Sequence, residues 1–330
     1  MKLSLIIAFL WVSTFIASGL SPEPLHWQER APLPQPRAGY MAGVISGKLV
    51  IAGGSFWQGG KKVWTPRVDT FDPAENRWYT STPMPEPRSD AASSSFGNAL
   101  YVFGGGSDGE VRADAIVFQD GKWRRIPKAT LPKPRLYATA VECRGSIYLI
   151  GGLSKPGDYS TASNTLWVWN PKEAKKGWKE LPCLPGPGRI NQAAAQSNGQ
   201  IYVFGGATWD GANGVRNLSD AYQFDPEKLK WTRLSDSPIA RRCWWAVNVH
   251  GRLLLLGGYS GAYEKQIFAY NPASKSFVSD GALPHAICDA KFFRVGNYLV
   301  GAGGESGSHI RAPWTFQAQL HGARKGGRFP

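Results

Sequence analysis

The amino-acid sequence predicts an all-β fold, a single six-bladed β-propeller that is closed by a strand from the N-terminal part of the chain. Three observations support this prediction. A Gly-Gly pair ends an apolar run six times, an aromatic residue followed by Asp-Pro or Asn-Pro recurs in phase with it, and the last repeat lacks an outer strand. The 39 glycines and 24 prolines among 330 residues also favour short strands joined by turns.

The Gly-Gly pairs set the number of blades. They are Gly53-Gly54, Gly104-Gly105, Gly151-Gly152, Gly205-Gly206, Gly257-Gly258 and Gly303-Gly304. Their first residues follow one another at intervals of 51, 47, 54, 52 and 46 residues. A period of about 50 residues is typical of Kelch repeats, each of which folds as a four-stranded blade.

Aromatic turn motifs mark the outer half of the repeat. The motifs are Phe71-Asp72-Pro73, Trp169-Asn170-Pro171, Phe224-Asp225-Pro226 and Tyr270-Asn271-Pro272. Such a motif indicates a turn after a strand. A second aromatic residue follows in five repeats, and we interpret this set as packing between blades: Trp78, Trp123, Trp178, Trp231 and Phe277.

The N-terminal part of the chain supplies the outer strand that the last repeat lacks. Residues 25–34, LHWQERAPLP, have the same form as the outer strand in residues 76–85. We therefore expect them to pair with the blade built from residues 286–320. This closes the ring, removes an open sheet edge and makes residues 20–320 one domain.

The two ends of the chain differ from the repeats. Lys2, the apolar run 3–17 and the small residues 17–19 predict a signal peptide over residues 1–19, and hence a periplasmic or secreted protein. No later run is apolar enough to predict a membrane span. Residues 321–330 are predicted to be a basic, solvated tail.

The formal net charge of +14 predicts an anionic partner. Nucleic acid is one candidate, but the basic residues are spread along the whole chain and form no stripe, so we expect no nucleic-acid binding. A small acidic molecule fits better. Five blades carry an arginine 16 residues before the first glycine of the pair, where the inner strand begins, and we predict that these arginines bind substrate around the channel: Arg37, Arg88, Arg135, Arg189 and Arg241.

The sixth blade departs from the pattern in two ways. Ile287 replaces the arginine, and Glu305 directly follows the Gly-Gly pair, with Arg311 six residues later. A carboxylate among arginines stays ionised and can serve as a base. A simple loop ion pair between Glu305 and Arg311 is the other interpretation.

A family resemblance bears on that choice. Residues 303–320, GGESGSHIRAPWTFQAQL, resemble the Gly-Glu, five residues, Arg motif of the Kelch-type sialic acid mutarotases, also called N-acetylneuraminate epimerases. Residues 189–238 and 239–285 resemble two further blades of that family. These blades lie early in the family's chains and late in this one, which implies a circular permutation.

Two features differ from the family pattern. Ser308-His309 stands where the family has Pro-Gly, and Ala312 stands where it has Thr. The loop 258–266 is short, whereas the family carries a long insertion there. These differences bear on the identity of the sugar more than on the fold.

The resemblance implies an isomerase that interconverts the anomers of sialic acid or a related acidic sugar. Glu305 would be the catalytic base, and Arg311 would act with the five arginines on the sugar's carboxylate. Neither a cofactor nor a metal ion is needed. Aromatic residues in the mouth loops could stack on the sugar: Trp57, Tyr159, Trp209 and Tyr263.

Two other functions remain open from the sequence. The first is a non-catalytic Kelch propeller that binds an acidic glycan or peptide at its arginine-lined mouth. The second is a copper radical oxidase, which the five histidines disfavour because they show no repeated ligand placement. The four cysteines show no zinc-type spacing, and their pairing cannot be derived from the sequence.

Overall fold

A computed structural model describes residues 24–320. It consists of six four-stranded antiparallel sheets and two short hairpins, so the predicted six-bladed propeller is confirmed. The predicted signal peptide and basic tail lie outside the described residues. Between residues 24 and 320, no helix is long and apolar enough to cross a bilayer.

The first strand and the first three blades follow in chain order. After β1 Trp27–Glu29, blade 1 contains β2 Met41–Ile45, β3 Lys48–Ala52, the hairpin β4 Ser55–Gln58 and β5 Lys61–Trp64, β6 Val68–Asp72 and β7 Arg77–Ser81. Blade 2 contains β8 Ala92–Phe96, β9 Ala99–Phe103, β10 Ala115–Gln119 and β11 Lys122–Arg125. Blade 3 contains β12 Thr139–Cys143, β13 Ser146–Ile150, β14 Leu166–Trp169 and β15 Lys179–Leu181. In each blade the first strand lies at the channel and the last at the rim.

The last three blades repeat this order. The strands are, in blade 4, β16 Ala193–Ser197, β17 Gln200–Trp209, β18 Val215–Asp225 and β19 Lys230–Arg233; in blade 5, β20 Trp245–Val249, β21 Arg252–Leu256, β22 Gln266–Asn271 and β23 Ser276–Ala282; in blade 6, β24 Lys291–Val295, β25 Tyr298–Ala302, the hairpin β26 Glu305–Gly307 and β27 Ile310–Arg311, and β28 Thr315–Gln319. Short 3-10 helices cover Pro127–Ala129, Tyr159–Thr161, Pro171–Lys176 and Gly211–Asn213.

The two inner strands of each blade are joined by a tight turn. In blade 1 the turn residues Ser46 and Gly47 have φ values of 49° and 71°. Positive φ at both positions matches the twist of a two-residue β-hairpin. Small and polar residues such as serine and glycine tolerate this conformation best.

The aromatic residues of the outer strands pack between blades, as predicted. Phe71 and Trp78 lie with their ring centroids 5.1 Å apart. The indole N–H of Trp78 donates to Ala31 O, next to the closing strand, at 3.0 Å. Trp123, Trp178 and Trp231 make the same kind of bond to the blade before their own. Each indole thus buries its ring and satisfies its one polar group across a blade boundary.

The second glycine of each pair connects neighbouring blades. Its amide donates to the carbonyl of the residue four positions before the inner strand of the next blade, at 2.7–3.0 Å. The bonds are Gly54 to Arg88, Gly105 to Arg135, Gly152 to Arg189, Gly206 to Arg241, Gly258 to Ile287 and Gly304 to Arg37. The first glycine leaves room for the same carbonyl, since a Cβ at Gly53 would lie 2.4 Å from Arg88 O.

The ring closes between the two ends of the described chain, as predicted. Strand β1 pairs antiparallel with β28, and Trp27 lies opposite Ala318. Beyond the strand, Arg30 N donates to Thr315 O at 2.9 Å and Leu33 N donates to Pro313 O at 2.8 Å. Blade 6 therefore takes its outer strand from the N-terminal part of the chain.

Replacing Gly53 by alanine tests the contact between blades. The new methyl group would meet the Arg88 carbonyl, and φ at this position is +66°. We expect a loss of about 3 kcal/mol in the free energy of unfolding, measured by chemical denaturation. Gly47→Ala is the matched control, because φ there is +71° with nothing within 4 Å of the new Cβ. It should cost only about 1 kcal/mol, and equal losses would contradict the role of the glycine pair.

Removing residues 1–30 tests the closure. This deletion takes away β1 and exposes the edge of β28, so we expect the melting temperature to fall by roughly 10 °C or more. Removing residues 1–23 leaves β1 in place and serves as the control. Equal melting temperatures for the two proteins would show that β1 does not close the ring.

Candidate functional site

The candidate site is the mouth, the face where the inner strands begin and where the loops after the Gly-Gly pairs lie. In every blade the residue after the Gly-Gly pair forms a β-bridge with a residue on the segment that leads into the inner strand. That second residue directly precedes a member of the central ring, which is described in the next paragraph. The bridges are Ala38–Ser55, Ser89–Gly106, Leu136–Leu153, Ile190–Ala207, Arg242–Tyr259 and Cys288–Glu305. Each blade thus presents the same backbone frame at the mouth, and the side chains distinguish one blade from another.

A ring of six residues surrounds the channel below the mouth. Each lies two positions before the first residue of an inner strand, and each has a positive φ: Gly39, Asp90, Tyr137, Asn191, Cys243 and Asp289. Five successive pairs are joined by backbone hydrogen bonds of 2.7–3.1 Å. The sixth link differs, because the Gly39 amide donates to the side-chain carboxylate of Asp289.

The sequence interpretation missed this central ring. In the sequence, this ring corresponds to one position of the repeat, which is filled mostly by residues that tolerate the left-handed backbone conformation, such as Gly39, Asp90, Asn191 and Asp289. Tyr137 and Cys243 stand at the same position in two blades and obscure the pattern. The structure shows the common cause, which is the positive φ of every member.

The central ring separates two small cavities. The mouth cavity has a volume of about 160 Å³ and is lined by Lys62, Tyr159, Cys288, Glu305 and Arg311, among others. The deeper cavity, about 60 Å³, lies along the inner strands beyond the ring. Pockets that enclose small-molecule ligands are commonly about 300–1,000 Å³. The mouth cavity is therefore smaller than a typical small-molecule site.

Charged groups are buried at the central ring. Burial raises the pKa of Asp289 to about 6, Asp90 and Glu305 add to the rise, and Lys291 opposes it. Burial likewise lowers the pKa of Lys291, against the attraction of Asp289 and Asp90. The nearby Asp90 carboxylate, together with burial, raises the pKa of Tyr137. These groups compensate one another inside the channel.

The five predicted substrate-binding arginines do not present their guanidinium groups at the mouth. The side chains of Arg37, Arg88, Arg189 and Arg241 are fully buried. Four acidic residues from the third strands or the loops before them pair with these arginines: Asp69, Asp114, Asp220 and Glu264. Each of these guanidinium groups also donates to the carbonyl of the first glycine of its own blade. The arginines therefore brace the strands within their own blades, and their burial contrasts with the expected ring of accessible cations.

Arg135 differs from the other four arginines. It is also buried, but its neighbour on the third strand is Thr165, whose hydroxyl lies 3.4 Å from Arg135 Nη2. The guanidinium instead stacks on the ring of Trp167 at 4.6 Å. In blade 2 the amide of the first glycine donates to Asp114 O, and in blade 3 the equivalent amide donates to Thr165 O. Thr165 therefore stands at the position where blade 2 has the aspartate that pairs with its arginine.

Glu305 and Arg311 form an ion pair. Arg311 Nε also donates to Ser55 O of blade 1 at 3.1 Å. The side chain of Arg311 is only 8% exposed. The simple loop ion pair, left open by the sequence, is thus what the structure contains, and its arginine is already engaged on both sides.

The aromatic residues expected to stack on a sugar have other neighbours. Trp57 stacks on His309 of blade 6, with centroids 3.7 Å apart. Tyr263 packs edge-on against Tyr259. Tyr159 lines the mouth cavity, and Trp209 is exposed. In the part of the chain that the structure describes, no cluster of three or more His, Cys, Asp or Glu side chains could hold a metal ion.

Supplying the missing carboxylate in blade 3 should stabilise the protein. In Thr165→Asp the new side chain can reach Arg135 as Asp114 reaches Arg88, and we expect a gain of about 1 kcal/mol in the free energy of unfolding. Thr165→Asn has the same shape without the charge and is the control. Denaturant unfolding that ranks the asparagine variant equal to or above the aspartate variant would contradict this account of Arg135.

Comparisons with known proteins correct the function that the sequence suggested. Kelch-like protein 35 of Mus musculus is 29% identical over 286 residues, which cover 81% of this chain and 44% of that protein. Kelch-like protein 25 of Xenopus tropicalis is 28% identical over 284 residues, 82% of this chain and 45% of that protein. Kelch-like protein 34 of Homo sapiens is 28% identical over 252 residues, 73% and 38% respectively. The chain spans less than half the length of these relatives.

The predicted membership in the sialic acid mutarotases is therefore wrong, and so are the isomerase function and the enzyme assignment. That interpretation gave the short motif around Glu305 more weight than the repeat pattern of the whole chain. The structure gives the physical counterpart, since Glu305 is already paired with Arg311. A family model described as the KLHDC2/KLHL20/DRC7 Kelch-repeats domain matches residues 71–258 and 137–321. Because these ranges together span well over half of the sequence, the chain belongs to this family of Kelch-repeat domains.

Proposed function

We propose that this propeller is a non-catalytic interaction domain that binds an acidic segment of a protein partner at its mouth. Membership in the Kelch-repeat family and the Kelch-like relatives support a binding role. One observation supports the sign of the partner's charge. Among residues 24–320, the mouth residues Lys61, Lys62 and Arg242 form no ion pair, whereas the buried arginines nearby are neutralised, apart from Arg135.

Neighbouring aromatic rings hold two of these cations in place. Lys62 Nζ lies 5.2 Å from the ring centroid of Trp64, and Lys62 lines the mouth cavity. The guanidinium of Arg242 lies 4.6 Å from the ring centroid of Tyr259. It also donates to Asn217 Oδ1 at 2.8 Å. Rings and amides orient a cation without cancelling its charge, so both groups remain available to a carboxylate.

Exposed apolar side chains lie on the same face of the propeller as these cations. Trp209, at the end of β17, is 43% exposed, and Ile310, in the hairpin of blade 6, is 59% exposed. Both belong to loops that follow Gly-Gly pairs. Binding surfaces on proteins commonly combine a few exposed apolar anchors with charged groups that guide the partner. A peptide lying across the mouth could contact both kinds of group.

The size of the mouth cavity favours a chain segment over a free small molecule. Its volume of about 160 Å³ fits one or two side chains. The central ring lies directly below it and shares Asp90, Tyr137 and Asn191 with its lining. A partner would therefore lie over the mouth and insert a side chain, rather than enter the channel as a whole.

Peptide selection on the immobilised propeller tests this function. Random twelve-residue peptides selected for binding should be enriched in Asp and Glu, and the affinity of an enriched peptide should fall as salt rises. The double variant Lys62→Glu with Arg242→Glu should weaken that peptide at least tenfold in fluorescence anisotropy, because both contacts become repulsive.

A matched control separates the mouth from the net charge. Lys122→Glu with Lys230→Glu makes the same change in charge at the start of two outer strands, on the opposite face. This control should bind like the unmodified propeller. Enrichment of basic or uncharged peptides, or equal loss in the two double variants, would overturn the proposal.

A further inference from the structure

Two cysteines from neighbouring blades meet at the mouth. Cys243 is the central-ring member of blade 5, and Cys288 directly precedes Asp289, the ring member of blade 6. The Asp289 amide donates to Cys243 O at 2.7 Å, which holds the two backbone segments side by side. They are separated by 45 residues in the sequence. The propeller fold, and not a sequence motif, brings them together.

The side chains of the pair face each other and the mouth cavity. The Cys243 thiol lies close enough to the Cys288 thiol to raise its pKa. Both residues line the cavity of about 160 Å³ that opens at the mouth. Cys243 is partly exposed, whereas Cys288 is buried, with its sulfur 4.0 Å from Glu305 Oε2. Both are free thiols in the structure.

The surroundings give the two thiols different roles. The neighbouring Cys243 thiol and burial raise the pKa of Cys288. Cys288 therefore remains protonated and shielded, and Cys243 is the sulfur that a reagent in the cavity reaches first. The other two cysteines lie elsewhere, since Cys143 ends the inner strand of blade 3 on the face opposite the mouth and Cys183 follows its outer strand.

We propose that Cys243 and Cys288 form a redox-active pair that closes to a disulfide between blades 5 and 6 when a small-molecule disulfide, such as oxidised glutathione, enters the mouth. The Cys243 thiolate attacks one sulfur of the reagent, forms a mixed disulfide and releases one thiol. Cys288, after losing its proton to solvent, attacks Cys243 Sγ and releases the second thiol. Two protein thiols are oxidised and one reagent disulfide is reduced to two thiols.

The expected consequence is a covalent link between the innermost strands of two blades. It would reinforce the hydrogen bond from Asp289 to Cys243 at the centre of the propeller. The oxidised protein should therefore melt at a higher temperature than the reduced protein, and dithiothreitol should reverse the change. This inference does not depend on the proposed peptide binding.

Treatment with oxidised glutathione at neutral pH tests the proposal. The free thiols are then blocked, and the protein is digested with trypsin in the absence of reductant. The digest should contain residues 243–252 joined to residues 276–291, and the number of free thiols in the unfolded protein should fall from four to two. Cys143 and Cys183 lie in different tryptic peptides, 136–144 and 180–189, so any other pairing is distinguishable by mass.

Single variants test the order of the two steps. Cys288→Ser should stop at glutathione bound to Cys243, and Cys243→Ser should leave Cys288 unmodified. The double variant Cys143→Ser with Cys183→Ser is the control and should form the cross-link like the parent. Should a serine variant fail to fold, the parent digest still decides. A parent that keeps four thiols, carries a stable mixed disulfide at Cys243 or links other cysteines would overturn the proposal.

Discussion

The structure depends on one repeated hydrogen bond, from the second glycine of each Gly-Gly pair to a carbonyl in the segment that leads into the inner strand of the next blade. Six such bonds, at 2.7–3.0 Å, run around the propeller. They require close approach of two backbones, which only a residue without a side chain permits at Gly53 and its equivalents. Because the acceptor residue lies four positions before an inner strand, the same bond fixes where that strand enters the channel. The residues two positions later are thereby brought together in the central ring.

The repeated side chains maintain this arrangement, and the side chains that break the repeat are the ones available for other roles. Four of the repeated arginines are buried against carboxylates and against the first glycine of their own blade, so their charges do not reach a partner. Lys62, Arg242 and Cys243 have no counterpart of the same type at the equivalent positions of the other blades. All three lie at the mouth. In a propeller of similar blades, the differences between blades are therefore the more informative guide to binding.

The fold was predictable from the sequence, whereas the roles of the charged residues were not. A period of about 50 residues and the outer-strand pattern of residues 25–34 sufficed for six blades and their closure. The arginines misled because their partners lie at variable distances along the chain, from 23 residues for Glu264 to 32 for Asp69. No fixed spacing reveals such a pair. The central ring was hidden for a related reason, since its common feature is a backbone angle rather than a residue type.

The features that suggested catalysis in blade 6 have a structural explanation in the closure of the ring. Blade 6 joins the two ends of the described chain without a covalent connection, because its outer strand β1 is not continuous in the sequence with β28. Strands β1 and β28 join them at the rim, and the Asp289 carboxylate joins them at the central ring through the Gly39 amide. Arg311 adds a third connection at the mouth, because it binds both Glu305 of its own blade and Ser55 O of blade 1. The ion pair of Glu305 and Arg311 thus supports the one blade whose outer strand is not continuous in the sequence with its other three strands.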